Sequence, residues 1–154
     1  MKFALVSHIL PPSFSGQAMI LYKILKDVDP SNYCLLSIGE YNKIKITNEY
    51  SPKLSGKYYT LPKFFPRILI INKGINKLKR IFKISPFLDF RVYLRSNQII
   101  RILKKDEVDS IVACTGDLID MPAAYMASKK LKIPFYAYIF DYYSHQWTIP
   151  KERA

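Results

Sequence analysis

The sequence predicts an α/β domain, a doubly wound and mainly parallel sheet with helices on both faces. Short unbroken apolar runs, such as Phe3-Ala4-Leu5-Val6 and Ile111-Val112-Ala113-Cys114, alternate with longer stretches of helical periodicity. Such runs mark strands covered on both sides, whereas a half-exposed strand would alternate apolar with polar residues. Turns rich in Pro, Ser and Gly follow the runs, the usual punctuation between strand and helix. At 154 residues, 49% of them apolar, the chain is long enough for one domain with a real core and too apolar for disorder.

Lys2–Ser7 reads as a first buried strand. Pro11-Pro12 breaks it, and Ser13-Phe14-Ser15-Gly16 leads into a helix over residues 17–28. There Ile20, Leu21, Ile24, Leu25 and Val28 form one stripe, Lys23, Lys26 and Asp27 oppose it, and Pro30 ends it. Tyr33–Ile38 is the second strand, closed by Gly39. Residues 40–57 are polar and irregular, and Tyr58–Leu61 is a short third strand. Two helices follow, over residues 67–82 and 88–104, the second after Pro86 and with Val92, Ile99 and Leu103 at helical spacing. Asp109–Thr115 is the next strand. A helix over 122–131 takes Asp120 as its cap and Pro122 in its first turn. Ile133–Asp141 is the last strand. The order β-α-β-β-α-α-β-α-β argues for a Rossmann-like architecture over residues 1–150, with 151–154 as a tail.

Cys34 and Cys114 fall inside strands and read as small buried hydrophobes in a reducing compartment. The two histidines, His8 and His145, have no cysteine or histidine partner at ligand spacing, so no metal site is expected. No apolar run has the length of a bilayer span. The N-terminal run is short and holds Ser7 and His8, which fits a strand better than a signal peptide and predicts a cytoplasmic protein.

The net charge of +12 is unevenly placed: residues 63–105 carry twelve Lys/Arg and one acid, Asp89. Lys73, Lys77, Lys79, Arg80, Lys83, Arg91 and Arg95 make this segment a candidate patch for an anionic partner. The plainer reading is a solvated helical face.

In doubly wound sheets ligands bind beyond the carboxyl ends of the strands, where strand order reverses. Residues 8–17, 115–121 and 141–147 are expected to converge there. Gly16 lets backbone approach a ligand closely, and the amides from Gln17 onward add the positive end of a helix dipole, unless Gly16 only shapes the turn. The loop fits neither a P-loop nor the three-glycine dinucleotide fingerprint, which removes most of the support for ATPase and NAD-dehydrogenase readings. Thr115-Gly116-Asp117 is a second close-approach loop, with Thr115 and Asp117 able to hydrogen-bond hydroxyls. Asp141 and His145 are candidate acid–base groups, although Asp141 fits a cap or ion pair equally well. Tyr142, Tyr143 and Trp147 fit either a stacking platform or packing.

His8-Ile-Leu-Pro-Pro-Ser-Phe-Ser-Gly16 before an apolar helix resembles the opening of family-four, or group 1, glycosyltransferases of the GT-B fold. Asp109 to Asp117 resembles their strand ending in a small-residue turn. Ile133-Pro134-Phe-Tyr-Ala-Tyr-Ile-Phe-Asp141, with Trp147 after it, resembles a further segment, so the likeness spans residues 2–147. It implies the N-terminal, acceptor-side half of a two-domain enzyme. Such an enzyme moves a sugar from a nucleotide-sugar donor to a glycan or lipid-linked acceptor, usually with retention, without metal or other cofactor. On that likeness Ser15, Gly16, Gln17, Thr115, Gly116 and Asp117 lie near donor phosphate or acceptor, and Asp141 or His145 lies near the reacting hydroxyl. The basic segment would meet the inner face of a membrane. The nucleotide-binding C-terminal half and its paired glutamates are not found before Ala154, so the chain alone is expected to transfer no sugar. The rival reading is a non-enzymatic basic domain that binds nucleic acid, with Phe87, Phe90 and Tyr93 stacking; no nucleic-acid-binding signature supports it.

Overall fold

The computed structural model describes residues 1–44, 52–63 and 85–140. Five parallel strands form one sheet: β1 (Phe3–Val6), β2 (Tyr33–Ser37), β3 (Lys57–Thr60), β4 (Ser110–Cys114) and β5 (Phe135–Tyr138), in the spatial order β3-β2-β1-β4-β5. Three α-helices are described: α1 (Gly16–Leu25), α2 (Ser85–Lys105) and α3 (Asp120–Leu131). The chain builds outward from β1 to β3 and then returns to build outward through β4 and β5. β1 is therefore central, with Ala4 opposite Cys34 on one side and Ile111 on the other. This is the doubly wound architecture.

The pleat of the strands explains why their apolar runs are continuous. Ala4, Val6, Cys34, Leu36, Ile111 and Ala113 face one way and pack with Val92, Ile99 and Leu103 of α2 and Ala123, Ala124 and Ala127 of α3. Leu5, Tyr33, Leu35 and Cys114 face the other way, against Leu21 and Leu25 of α1 and Leu10. Both cysteines are free and buried, and burial pushes each thiol up to about 12, with Asp106 adding to the rise at Cys34.

Most boundaries agree with the sequence within a few residues. Helix α1 stops at Leu25, well before Pro30, which opens a separate 3-10 turn over Pro30–Asn32. Leu21 and Leu25 enter the core, while Ile20 and Ile24 of the expected stripe are exposed. Helix α2 starts at Ser85 and takes Pro86 into its first turn, where no intrahelical N–H is required. The helix expected over 67–82 lies outside the described residues.

Helix α3 starts differently from expectation. Ile119 holds the cap position without a side-chain bond, and Asp117 in the turn before it closes the helix start, its Oδ1 accepting the N–H groups of Ile119 (2.9 Å) and Asp120 (2.6 Å). Asp120, expected to cap, is instead buried in the first turn. At the other end Lys132 takes a left-handed conformation, φ 57°, and its N–H reaches back to Lys129 O, as Ile133 N–H does to Ser128 O. A side chain is costly in that conformation. Lys132→Gly is expected to stabilise the protein by about 0.5–1 kcal/mol, because relief of the strained backbone outweighs glycine's extra chain entropy. A thermal melt with an unchanged or lower Tm would contradict this.

Asp106 fastens the amino-terminal edge of the sheet. Following α2 and largely buried, it contacts Lys2 Nζ (2.9 Å), accepts from Lys57 Nζ (3.1 Å) and accepts from Tyr59 OH (2.9 Å). One carboxylate thus joins the starts of β1 and β3 to the end of α2.

Candidate functional site

The opposite edge of the sheet holds the candidate site. Strand order reverses between β1 and β4, so the loops that follow these two strands part company there and leave a crevice. The loop after β1 carries Ser7 to Ser15, and the loop after β4 carries Thr115 to Ile119.

Hydrogen bonds hold this rim together. Gln17 Nε2 donates to Ser7 Oγ at 2.9 Å and more weakly to Thr115 O at 3.4 Å, spanning both loops from the start of α1. Ser7 Oγ donates to Ile9 O (2.7 Å), and Ser37 Oγ donates to His8 O (2.9 Å). Thr115 is buried: its N–H donates to Tyr138 O at 3.1 Å, and its Oγ1 accepts from Phe140 N–H at 2.9 Å. The ends of β1, β4 and β5 are thereby fixed to one another.

The residues expected to bind ligand divide accordingly. The side chains of Ser15, Gln17, Thr115 and Asp117 all have internal partners. Ser15 Oγ caps α1 by accepting Ala18 N–H at 3.1 Å, and the other three join or cap segments as described. Gly16 and Gly116 are exposed. A Cβ added to Gly16 would meet nothing within 4 Å, and its φ is not positive, so neither packing nor turn geometry requires glycine there. A Cβ at Gly116 would lie 3.1 Å from His8 Cβ, so that glycine does make room for a neighbour. Among the described residues no hydrogen bond is recorded from the amides of Gly16 and Gln17, which open the first turn of α1. Asp141 and His145, together with Tyr142, Tyr143 and Trp147, lie outside the described residues.

The structure adds contacts that sequence reasoning did not assign within these loops, and brings in Arg95 from α2. His8, expected in the first converging loop but given no role of its own there, stands with Nδ1 4.0 Å from Asp117 Oδ2. Asp120 is 2% exposed, and its Oδ1 lies 3.2 Å from Arg95 Nε. Burial, then the negative charge of Asp117, pushes the Asp120 carboxyl above its ordinary value, against the pull of Arg95. Burial likewise draws the Arg95 guanidinium below its ordinary value, while Asp120 and Asp117 hold it up.

Arg95 corrects the expected anion patch. It shares a buried helical stripe with Val92, Ser96 and Ile99, and it is only 4% exposed. Its charge is turned inward toward α3 because Asp120 waits there, so it offers nothing to an external anion. Arg91 is half-buried on the same helix. Lys73, Lys77, Lys79, Arg80 and Lys83 lie outside the described residues. A local signal existed in the Asp117-x-x-Asp120 spacing, which sets two carboxylates at one helix start, but nothing local tied either to His8 or Arg95.

Comparison with protein-family models, with curated proteins and with solved structures gives no match, so the reading of the site rests on its own geometry.

Proposed function

We propose that this chain is the acceptor-side half of a glycosyltransferase that takes a sugar from a nucleotide-sugar donor and passes it to a glycan or lipid-linked acceptor. The observation that carries the reading is the junction of the loops after β1 and β4 at the sheet's reversal point, with the start of α1 bridging them through Gln17. That junction puts a helix N-terminus and an open glycine at the place where doubly wound sheets take phosphorylated ligands. The order of the motifs around it, His8 to Gly16, Asp109 to Asp117 and Ile133 to Asp141, supports the specific class by resemblance.

On this reading the amides of Gly16 and Gln17 meet the donor diphosphate, and Asp141 or His145 serves the reacting hydroxyl. A second, nucleotide-binding half completes the cleft. The basic residues of 63–84 favour an anionic membrane surface on the cytoplasmic side as the acceptor's setting. Among the described residues, no helix is long and apolar enough to cross a membrane.

Backbone amide NMR of the purified chain titrated with UDP and with GDP tests the reading. Either nucleotide is expected to shift the resonances of Gly16, Gln17 and Gly116. Gly16→Ala is expected to weaken that response severalfold while leaving the unfolding free energy within about 0.5 kcal/mol, because the added methyl meets no protein atom. Absence of shifts at these amides with both nucleotides would defeat the proposal. So would tight, salt-sensitive binding of random oligonucleotides that moves α2 instead.

A further inference from the structure

The rim holds one cluster whose chemistry the proposed function does not use. His8, Asp117 and Asp120 each offer a ligand atom, and these atoms all lie within 4.8 Å of one another. They come from three segments, the loop after β1, the loop after β4 and the first turn of α3. The hydrogen bonds between β1, α1 and β4 described above hold these segments in place.

A second observation points to a ligand. Asp120 is 2% exposed, yet its Oδ2 has no hydrogen-bond partner. Its Oδ1 meets the Arg95 guanidinium at 3.2 Å without the alignment of a hydrogen bond. A buried carboxylate normally gathers several donors, and one left without them is costly. His8 Nδ1 is also buried and has no hydrogen-bond partner, since 4.0 Å to Asp117 Oδ2 is too long for one. Asp117 Oδ1 is occupied with the α3 amides, which turns that residue's capping role to one oxygen and its Oδ2 toward His8. Arg95 is one cation shared between two carboxylates, with further bonds to Pro62 O and Gln98 Oε1.

We propose that His8, Asp117 and Asp120 bind a divalent first-row cation, Mn²⁺ or Zn²⁺, through one imidazole nitrogen and two carboxylate oxygens. Mixed nitrogen and oxygen donors suit these ions better than Ca²⁺, which takes oxygen ligands. Donors around one such ion at about 2.0–2.2 Å stand roughly 3–4 Å apart, so the side chains need close by only about 1 Å. Three protein ligands leave coordination positions open for an outside oxygen, the arrangement of reactive rather than purely structural sites. Bound there, the ion supplies the positive charge that Asp120 Oδ2 lacks. The inference goes beyond the glycosyltransferase reading, whose family resemblance implies no metal, and does not depend on it.

The test uses the purified chain, stripped with a chelator and titrated with MnCl₂ or ZnCl₂ alone, with no nucleotide present. One ion per chain is expected to bind at micromolar concentration and to raise Tm. His8→Gln and Asp120→Asn are each expected to weaken binding at least tenfold. Asp109→Asn, which alters an exposed carboxylate bonded to the Lys2 N–H at the far edge of the sheet, is expected to leave it unchanged. Should Asp120→Asn fail to fold, His8→Gln still decides the matter, since the His8 side chain is 39% exposed. The proposal is overturned if no saturable binding occurs below millimolar ion, or if His8→Gln binds as tightly as the parent chain. A loss here leaves the nucleotide response of Gly16 untouched, and the reverse also holds.

Discussion

Replacing Arg95 with methionine is expected to lower the unfolding free energy by about 3–5 kcal/mol, the cost typical of breaking a buried ion pair from one side. Arg95 and Asp120 are 4% and 2% exposed, so water cannot replace the lost guanidinium. Nη1 also gives up its bonds to Pro62 O (3.0 Å) and Gln98 Oε1 (2.8 Å), which tie α2 to the end of the β3 segment. What remains is a carboxylate between two apolar layers, next to a second carboxylate. It can escape only by taking a proton. The double variant Arg95→Met with Asp120→Leu is expected to recover most of the loss, because the uncompensated charge is then gone and the space is filled by apolar atoms. Urea denaturation of both single variants and the double closes the cycle. If the two single losses simply add in the double variant, the charges are not energetically coupled and the account of α2 against α3 fails.

A comparable loss is expected at the other edge of the sheet, but with a pH signature. Burial alone would raise the Asp106 carboxyl; contacts with Lys2, Tyr59 and Lys57 overcome it and hold the group at about 2, below the ordinary aspartate value of 3.8. A depressed carboxyl contributes stability that is complete above its unfolded value and is lost as pH falls toward the folded one. The window therefore runs from about pH 4 down to about pH 2. That lowering corresponds to roughly 2–2.5 kcal/mol. Asp106→Asn is expected to cost about that much at pH 7, and its stability is expected to fall less steeply than the parent's across the window. Parallel pH–stability curves for parent and variant would show that Asp106 does not carry the acid sensitivity.

These two clusters show why a sequence reveals the fold more readily than the site. Phe3 to Val6 and Ile111 to Cys114 announce buried strands because every residue in them is apolar, whichever side it faces. Leu21 and Leu25 likewise mark the inner side of α1. Arg95 misleads because its charge suggests solvent, and the periodicity of α2 alone does not show that Asp120 lies opposite. Asp120 misleads for the matching reason. An acidic residue near a helix start suits a cap, yet Asp117 reaches the α3 amides first and leaves Asp120 to turn inward. Gly16 and Gly116 look alike in sequence. Only the second is packed against a neighbour, the His8 side chain.

By itself the sequence determined the class of fold, its alternation of strand and helix, and which loops follow the central strands, because hydrophobic periodicity and turn chemistry act over a few neighbouring residues. Tertiary structure alone decided which charges are buried and which polar atoms meet: His8 with Asp117, Arg95 with Asp120, and Asp106 with Lys2, Lys57 and Tyr59. The ionisation of a buried group depends on partners brought from distant segments, and a charge that would be solvated in the extended chain acquires its chemistry only when the sheet closes around it.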